Sequence, residues 1–231
     1  MDVHGCRPVT NPLLRGQMTH AAAFLLLHPD SSGRDLDRAL WPHQSVPVSV
    51  RTQLLDRLRL WFTPQGGARS RLTVRADSYR FDDEVACDWS GFQDLHGQGR
   101  GAGPGADLAL ARALSLARGR PLAGIDPVKY PWAADARRTM TAAVVDVAHT
   151  LARRRMEQHD VHSSALAAAR GLDADPHSEL LLRDLLAVHT ATDDASGVRR
   201  TVQRIRDIWD AHPTPTEEAA DALRQSAATR L

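Results

Sequence analysis

A chain of 231 residues is long enough for one large domain or two small ones, each with its own core. Hydrophobic residues make up 42% and charged residues 25%, which argues against wholesale disorder, and the formal net charge is only +1. The longest apolar run, residues 21–27, is far shorter than the roughly 20 residues that span a bilayer, and the two cysteines have no metal-binding or redox spacing. These features predict a cytoplasmic protein with reduced thiols and no membrane partner.

The first part of the chain is predicted to contain three helices followed by a β-hairpin. Periodic apolar residues predict the helices, Ser49 is the expected N-cap of the third, and residues 30–33 are expected to form a turn. Alternating polar and apolar residues predict two strands joined by a turn at 76–78. The predicted helices span 17–28, 34–41 and about 49–62, and the predicted strands span 71–75 and 79–81.

The rest of the chain is predicted to be almost entirely helical. A short helix over 88–95 is followed by the glycine-rich residues 97–105, whose composition predicts a flexible linker. Short breaks divide the remainder into helical segments. These segments are about 106–118, 133–157, 160–170, 176–190, 195–211 and 215–229.

Capping residues and a weak repeat support this helical interpretation. Asp160 opens one predicted helix and Asp194 precedes another, and their separation of 34 residues is the spacing of tetratricopeptide helix pairs. The other expected caps are Gly119 and Gly171 at helix ends, and Asp175-Pro176 and the capping box of Thr214 to Glu217 at helix starts.

Several short motifs occur in a fixed order along residues 20–225. They are Leu36-x-x-x-Leu40-Trp41-Pro42, Leu54-x-x-x-Leu58-Arg59, Asp77-Ser78-Tyr79-Arg80-Phe81, Asp88-Trp89-x-x-Phe92, Ala113-Leu114-x-Leu116-x-x-Gly119-x-Pro121-Leu122, Arg170-Gly171-Leu172-x-x-Asp175-Pro176-x-x-Glu179 and the ending 213–223. In this order they resemble the actinobacterial SARP-type regulators, and the second half is similar to the bacterial transcriptional activator domain of that family. Larger actinobacterial proteins carry a similar half beside peptidoglycan-binding modules, so the resemblance alone does not fix the function.

The fold that this resemblance implies is mostly α. A winged helix-turn-helix domain is expected over residues 1–84, followed by a tetratricopeptide-like α-helical domain over residues 85–231. The implied function is transcription regulation, with double-stranded DNA bound by the winged helix. The helical domain is expected to bind a protein partner or to mediate self-association.

A basic stretch supports the DNA-binding interpretation. Residues 51–80 hold seven arginines against two aspartates, a local net charge of +5. A helix and a hairpin that carry arginines are the two parts with which a winged helix grips DNA, and a guanidinium can contact guanine O6 and N7 together. The residues expected to contact DNA are Arg51, Thr52, Arg57, Arg59, Arg69, Arg71 and Arg75.

Two residues of the third predicted helix oppose that interpretation. A helical wheel with a core stripe through Val50, Leu54 and Leu58 places Asp56 on the outer face and Leu55 on its flank. A carboxylate at this position repels phosphates unless it accepts a hydrogen bond from cytosine or pairs with an arginine. The alternative is therefore a non-enzymatic interaction scaffold whose winged helix no longer binds DNA.

Other chemistry has little support in the sequence. His159 and His162 are the closest histidine pair, but they straddle a predicted helix break and have no third ligand nearby. No apolar strand precedes the glycines of 97–105, so a phosphate-binding loop is not expected. Because no nucleophile stands with a base, we expect no enzyme activity, no catalytic residue, no cofactor and no metal.

Overall fold

The computed structural model describes residues 9–64 and 66–211. Within these ranges the chain is mostly α-helical, as predicted, with one small three-stranded sheet. The helices are α1 Pro12–Leu27, α2 Gly33–Leu40, α3 Val48–Trp61, α4 Asp88–Gly99, α5 Pro104–Leu116, α6 Pro131–Glu157, α7 Val161–Ala174, α8 Glu179–Ala191 and α9 Ala195–Ala211. The strands are β1 Ser31–Ser32, β2 Leu72–Arg75 and β3 Ser78–Phe81. No described helix is both long enough and apolar enough to cross a bilayer.

The chain divides by its internal contacts into two compact units. Unit 1 comprises Met1–Gln93 with Pro121–Met140, and unit 2 comprises Asp94–Arg120 with Thr141–Leu231. This division differs from the boundary at residue 84 that the sequence suggested. The later segment joins unit 1 because Ala23 of α1 shares a buried cluster with Ile125 and Tyr130.

Polar side chains set the starts of the first two helices of unit 1. Asn11 caps α1, since its Oδ1 accepts hydrogen bonds from the backbone N–H groups of Leu13 and Leu14, and α1 begins five residues before the predicted start. Ser32 and Asp35 form a capping box at α2. The third helix begins at Val48 without any side-chain cap, so the prediction of Ser49 as N-cap was wrong.

The sheet of unit 1 has the order β1-β3-β2 and both pairs are antiparallel. Ser31 pairs with Tyr79, so residues predicted to form only a turn also supply a short strand. The turn of the hairpin is Ala76-Asp77, with Ala76 in the left-handed region at φ 53°, and Ser78 belongs to β3. The sheet and the three helices enclose a core that includes Met18, Leu25, Leu36, Leu58, Leu72 and Phe81.

The glycine-rich segment of unit 2 is not a linker as predicted. The helix α4 continues to Gly99, and α5 begins at Pro104, so only a short turn separates the two helices. Gly99 is buried, and a Cβ at this position would overlap the Cδ2 atom of Leu110. The glycine is therefore explained by close packing and not by flexibility.

Three expected caps of unit 2 are placed differently in the structure. Gly171 lies within α7, where a Cβ would meet the side chains of Leu181 and Ala148, so it is a packing residue and not a C-cap. Asp175-Pro176 does not open α8, which begins at Glu179. The C-cap of α5 is Ala117, and Gly119 follows it with φ +80°. The capping box at 214–217 and the predicted helix over 215–229 lie outside the described residues.

Matching aspartates precede α7 and α9, as the repeat predicted. Asp160 accepts a hydrogen bond from the backbone N–H of Ser163 at 3.1 Å, and Asp194 accepts one from that of Gly197 at 2.9 Å. Along this part of unit 2, α7 packs against α8 and α8 packs against α9. Each of these helices therefore contacts its neighbour in sequence.

Candidate nucleic-acid interface

The buried face of α3 differs from the predicted core stripe. Leu54, Leu58 and Trp61 are buried as expected, but Leu55 is also buried while Val50 is 40% exposed. At 100° per residue, this turns the centre of the buried face by about 35° from the centre of the predicted stripe. Leu55 is therefore a core residue and is excluded as a reader of DNA bases.

Arg51 occupies the buried side of the same helix. Its guanidinium donates a hydrogen bond to Oδ2 of Asp37 on α2, and only 13% of its side chain is exposed. The guanidinium also lies against Gly33, where an added Cβ would be 2.7 Å from Arg51 Cζ. Arg51 joins α2 to α3 and could reach a ligand only by breaking this ion pair, so its assignment to the DNA contacts is corrected.

Three of the predicted arginines surround one groove between α3 and β2. Arg59 contributes from α3, Arg69 from the connecting loop and Arg75 from the end of β2. The groove has a volume of about 400 Å³, and Thr73 and Ser70 supply polar groups to its lining. All three arginines are exposed, and none forms an ion pair within the part of the chain that the structure describes. Their charges are therefore available to an anion.

Arg71 lies outside this groove and is already paired. Its Nη2 atom is 2.9 Å from Oε2 of Glu84, and its Nη1 donates to the Glu84 carbonyl at 3.2 Å. Arg80 similarly pairs with Asp30 at 3.2 Å. Acidic residues thus pair with both of these arginines, and Arg71 is a weaker candidate contact than its sequence position suggested.

The remaining predicted residues, Thr52 and Arg57, lie on the exposed surface of α3. The hydroxyl of Thr52 donates to the Val48 carbonyl at 3.0 Å, which leaves its oxygen able to accept a hydrogen bond. Arg57 is exposed but does not line the α3–β2 groove. These two side chains can approach a ligand that covers α3, and only Arg59 of this helix reaches the groove.

Sequence reasoning missed one polar residue of the exposed face. Gln53 is exposed and lies next to Asp56 on the helix surface, since residues three apart in an α-helix are neighbours. Neither side chain makes a hydrogen bond to another described residue. The net charge of residues 51–80 identified arginines as candidates, and an uncharged glutamine does not contribute to a net charge.

Within residues 9–64 and 66–211, no group of three or more His, Cys, Asp or Glu side chains could hold a metal ion. The sequence matches no protein-family model and no curated protein.

Proposed function

We propose that the protein is a transcriptional regulator that binds double-stranded DNA through unit 1. The observation that carries this proposal is the groove between α3 and β2, where Arg59, Arg69 and Arg75 present charges without carboxylate partners. Proteins hold the DNA backbone with such unpaired arginines, because each guanidinium that meets a phosphate releases condensed counterions.

The element order of unit 1 supports this use of the groove. Three helices precede a two-stranded hairpin, which is the order expected of a winged helix. In that arrangement α3 is the recognition helix and β2 with β3 is the wing. Arg59 belongs to α3 and Arg75 to the wing, so one groove is lined by both elements that are proposed to contact DNA.

Unit 2 has a different role in this proposal. Its successive helices α7, α8 and α9 pack in sequence, and its two capping aspartates repeat at the tetratricopeptide spacing. Stacked helix pairs of this kind bind peptides or partner helices. We assign to unit 2 the contact with a protein partner or with a second copy of the chain.

The salt dependence of DNA binding tests the proposal. Binding of a fluorescent genomic duplex from the source organism is measured by anisotropy over a series of salt concentrations. Each lost phosphate contact reduces the slope of log K against log salt by about 0.9. We therefore expect Arg59→Ala, Arg69→Ala and Arg75→Ala each to weaken binding and to reduce the slope by roughly that amount.

Matched controls come from exposed arginines of unit 2. Arg112 and Arg199 are exposed and form no ion pair within the described residues, so their replacement by alanine removes the same charge elsewhere. These variants should retain the wild-type slope. The proposal fails if the wild-type protein binds no duplex at low salt, or if all five variants change the slope equally.

The exposed face of α3 also favours a second candidate function, a protein-interaction scaffold. Leu60 is 56% exposed and Val48 is 64% exposed; both lie on this helix, and Leu60 is about one turn from Asp56. An apolar and acidic face suits a protein partner better than a phosphate backbone. If this candidate is correct, Leu60→Asp abolishes capture of a partner from cell extract while Arg59→Ala leaves it intact.

A further inference from the structure

The polar side chains exposed on the middle turns of α3 carry an inference that goes beyond phosphate binding. Gln53 and Asp56 are exposed, and neither is bonded to another described side chain. At 100° per residue they lie only about 60° apart around the helix. The two side chains thus form one hydrogen-bonding patch.

Asp56 stays unpaired although arginines stand close to it in the sequence. Arg57 and Arg59 lie on either side of it around the helix, and Arg59 is three residues away, a common spacing for an ion pair. The structure has no such pair among the described residues. Arg59 lines the α3–β2 groove instead, which leaves the carboxylate of Asp56 open to another hydrogen-bond donor.

We propose that Gln53 and Asp56 read the base sequence, Gln53 by binding adenine and Asp56 by accepting from cytosine. The inference rests on the proposed function, because it assigns base recognition to the same helix. A glutamine amide can donate to adenine N7 and accept from its N6 amino group, and a carboxylate accepts from the cytosine N4 amino group. The arginines of the groove then position the helix on the backbone without selecting a sequence.

The spacing of the two residues limits the site that they read. Three residues of an α-helix advance by about 4.5 Å, and successive base pairs of B-DNA are about 3.4 Å apart. Gln53 and Asp56 therefore contact base pairs that are adjacent or separated by one pair. The preferred site contains an A·T pair and a C·G pair at this separation.

This assignment also gives a reason for an acid on a basic surface. A carboxylate facing DNA repels phosphates, so a purely backbone-binding helix gains nothing from it. A carboxylate that accepts from cytosine N4 meets only acceptor groups on the major-groove edges of guanine and thymine, so it disfavours those bases and converts the repulsion into selectivity. Asp56 therefore lowers non-specific affinity while it selects one base pair.

Selection from a randomised duplex pool tests the inference. The wild-type protein, Gln53→Ala and Asp56→Ala are each used to enrich bound duplexes, which are then sequenced. We expect the wild type to enrich a motif with the A·T and C·G pairs, Gln53→Ala to lose the first and Asp56→Ala the second. Direct binding to single-base variants should show each preference reduced by about 5- to 150-fold. Asp56→Ala should also bind non-specific DNA more tightly.

Controls separate this inference from the proposed function. Gln93→Ala and Asp94→Ala remove the same two residue types from exposed positions of α4 and should leave the motif unchanged. Duplex binding without any enriched motif, or a motif that survives both α3 substitutions, overturns the inference while DNA binding by the arginines stands. Absence of all duplex binding at low salt removes both.

Discussion

Replacement of Arg51 by alanine should destabilise unit 1 and leave the salt dependence of the proposed DNA binding unchanged. The variant leaves the Asp37 carboxylate without its cation. The Oδ1 atom of Asp37 is already buried without a hydrogen-bond partner among the described residues. Breaking one side of a fully buried ion pair costs about 3–5 kcal/mol. Because 25% of the Asp37 side chain and 13% of the Arg51 side chain remain exposed, we expect a smaller loss of about 2–3 kcal/mol.

Urea unfolding of a double-mutant cycle measures this effect. The double mutant Asp37→Ala/Arg51→Ala no longer contains the orphaned charge. Its loss of stability should therefore be smaller than the sum of the two single-mutant losses, by at least about 1 kcal/mol. Arg57→Ala is the matched control, since this arginine is exposed, and it should change stability by less than about 0.5 kcal/mol. A loss below 0.5 kcal/mol for Arg51→Ala, or an additive cycle, refutes the structural role. The structural role is also refuted if Arg51→Ala reduces the salt slope of DNA binding as much as Arg59→Ala does.

Three further outcomes follow from other contacts. Gly33→Ala should destabilise the protein because the new Cβ displaces the Arg51 guanidinium. In the Arg51→Ala background the same substitution should instead stabilise the protein by about 0.4–1 kcal/mol in urea unfolding. An equal effect of Gly33→Ala in both backgrounds contradicts this contact. Gly171→Ala should cost about 1–3 kcal/mol in the same assay, since its Cβ overlaps Leu181, and an unchanged unfolding midpoint would disprove the overlap. Hydrogen bonds from Gly197 and Ser196 lower the pKa of Asp194 to about 2, so its contribution to stability is complete above pH ~4 and is lost as pH falls towards 2. Asp194→Asn should therefore flatten the pH dependence of the unfolding midpoint between these values, and an unchanged profile would argue against the assigned cap.

Local patterns predicted the first three helices and the hairpin of unit 1, but not the strand β1 or the phase of α3. The spacing of Leu54, Leu58 and Trp61 identifies a helix, and all three are buried. Val50 continues that spacing, so the pattern placed it in the core. Arg51 takes the inner position instead, because it pairs with Asp37 on another helix. A local sequence pattern does not predict a contact between residues that are 14 positions apart.

Glycines show the same limit in unit 2. The composition of 97–105 is that of a linker, and yet Gly99 ends a helix and packs against Leu110. Gly171 carries a helix-ending signal but is required by the neighbouring Leu181. A glycine used for flexibility and one used for close approach are identical in sequence, and only the facing residue distinguishes them.

The candidate site was predictable in composition but not in arrangement. Counting charges identified Arg59, Arg69 and Arg75, which do line one groove. It could not reveal that Arg71 is paired with Glu84, since ion pairing depends on how the hairpin folds back on the residues that follow it. Burial and pairing removed Arg51 and Arg71 from the seven candidate residues, and three of the five that remain line the same groove.

The strand order β1-β3-β2 leaves β2 at an edge of the sheet, where its outer backbone groups can pair with another chain. This edge includes Val74, which is 43% exposed, next to Arg75. Charged side chains on an edge strand prevent the strand-to-strand association that leads to aggregation. Arg75, at the end of this edge strand, thus also opposes the addition of a strand from another chain. Replacement of Arg75 by a neutral residue should increase concentration-dependent aggregation, measured by light scattering.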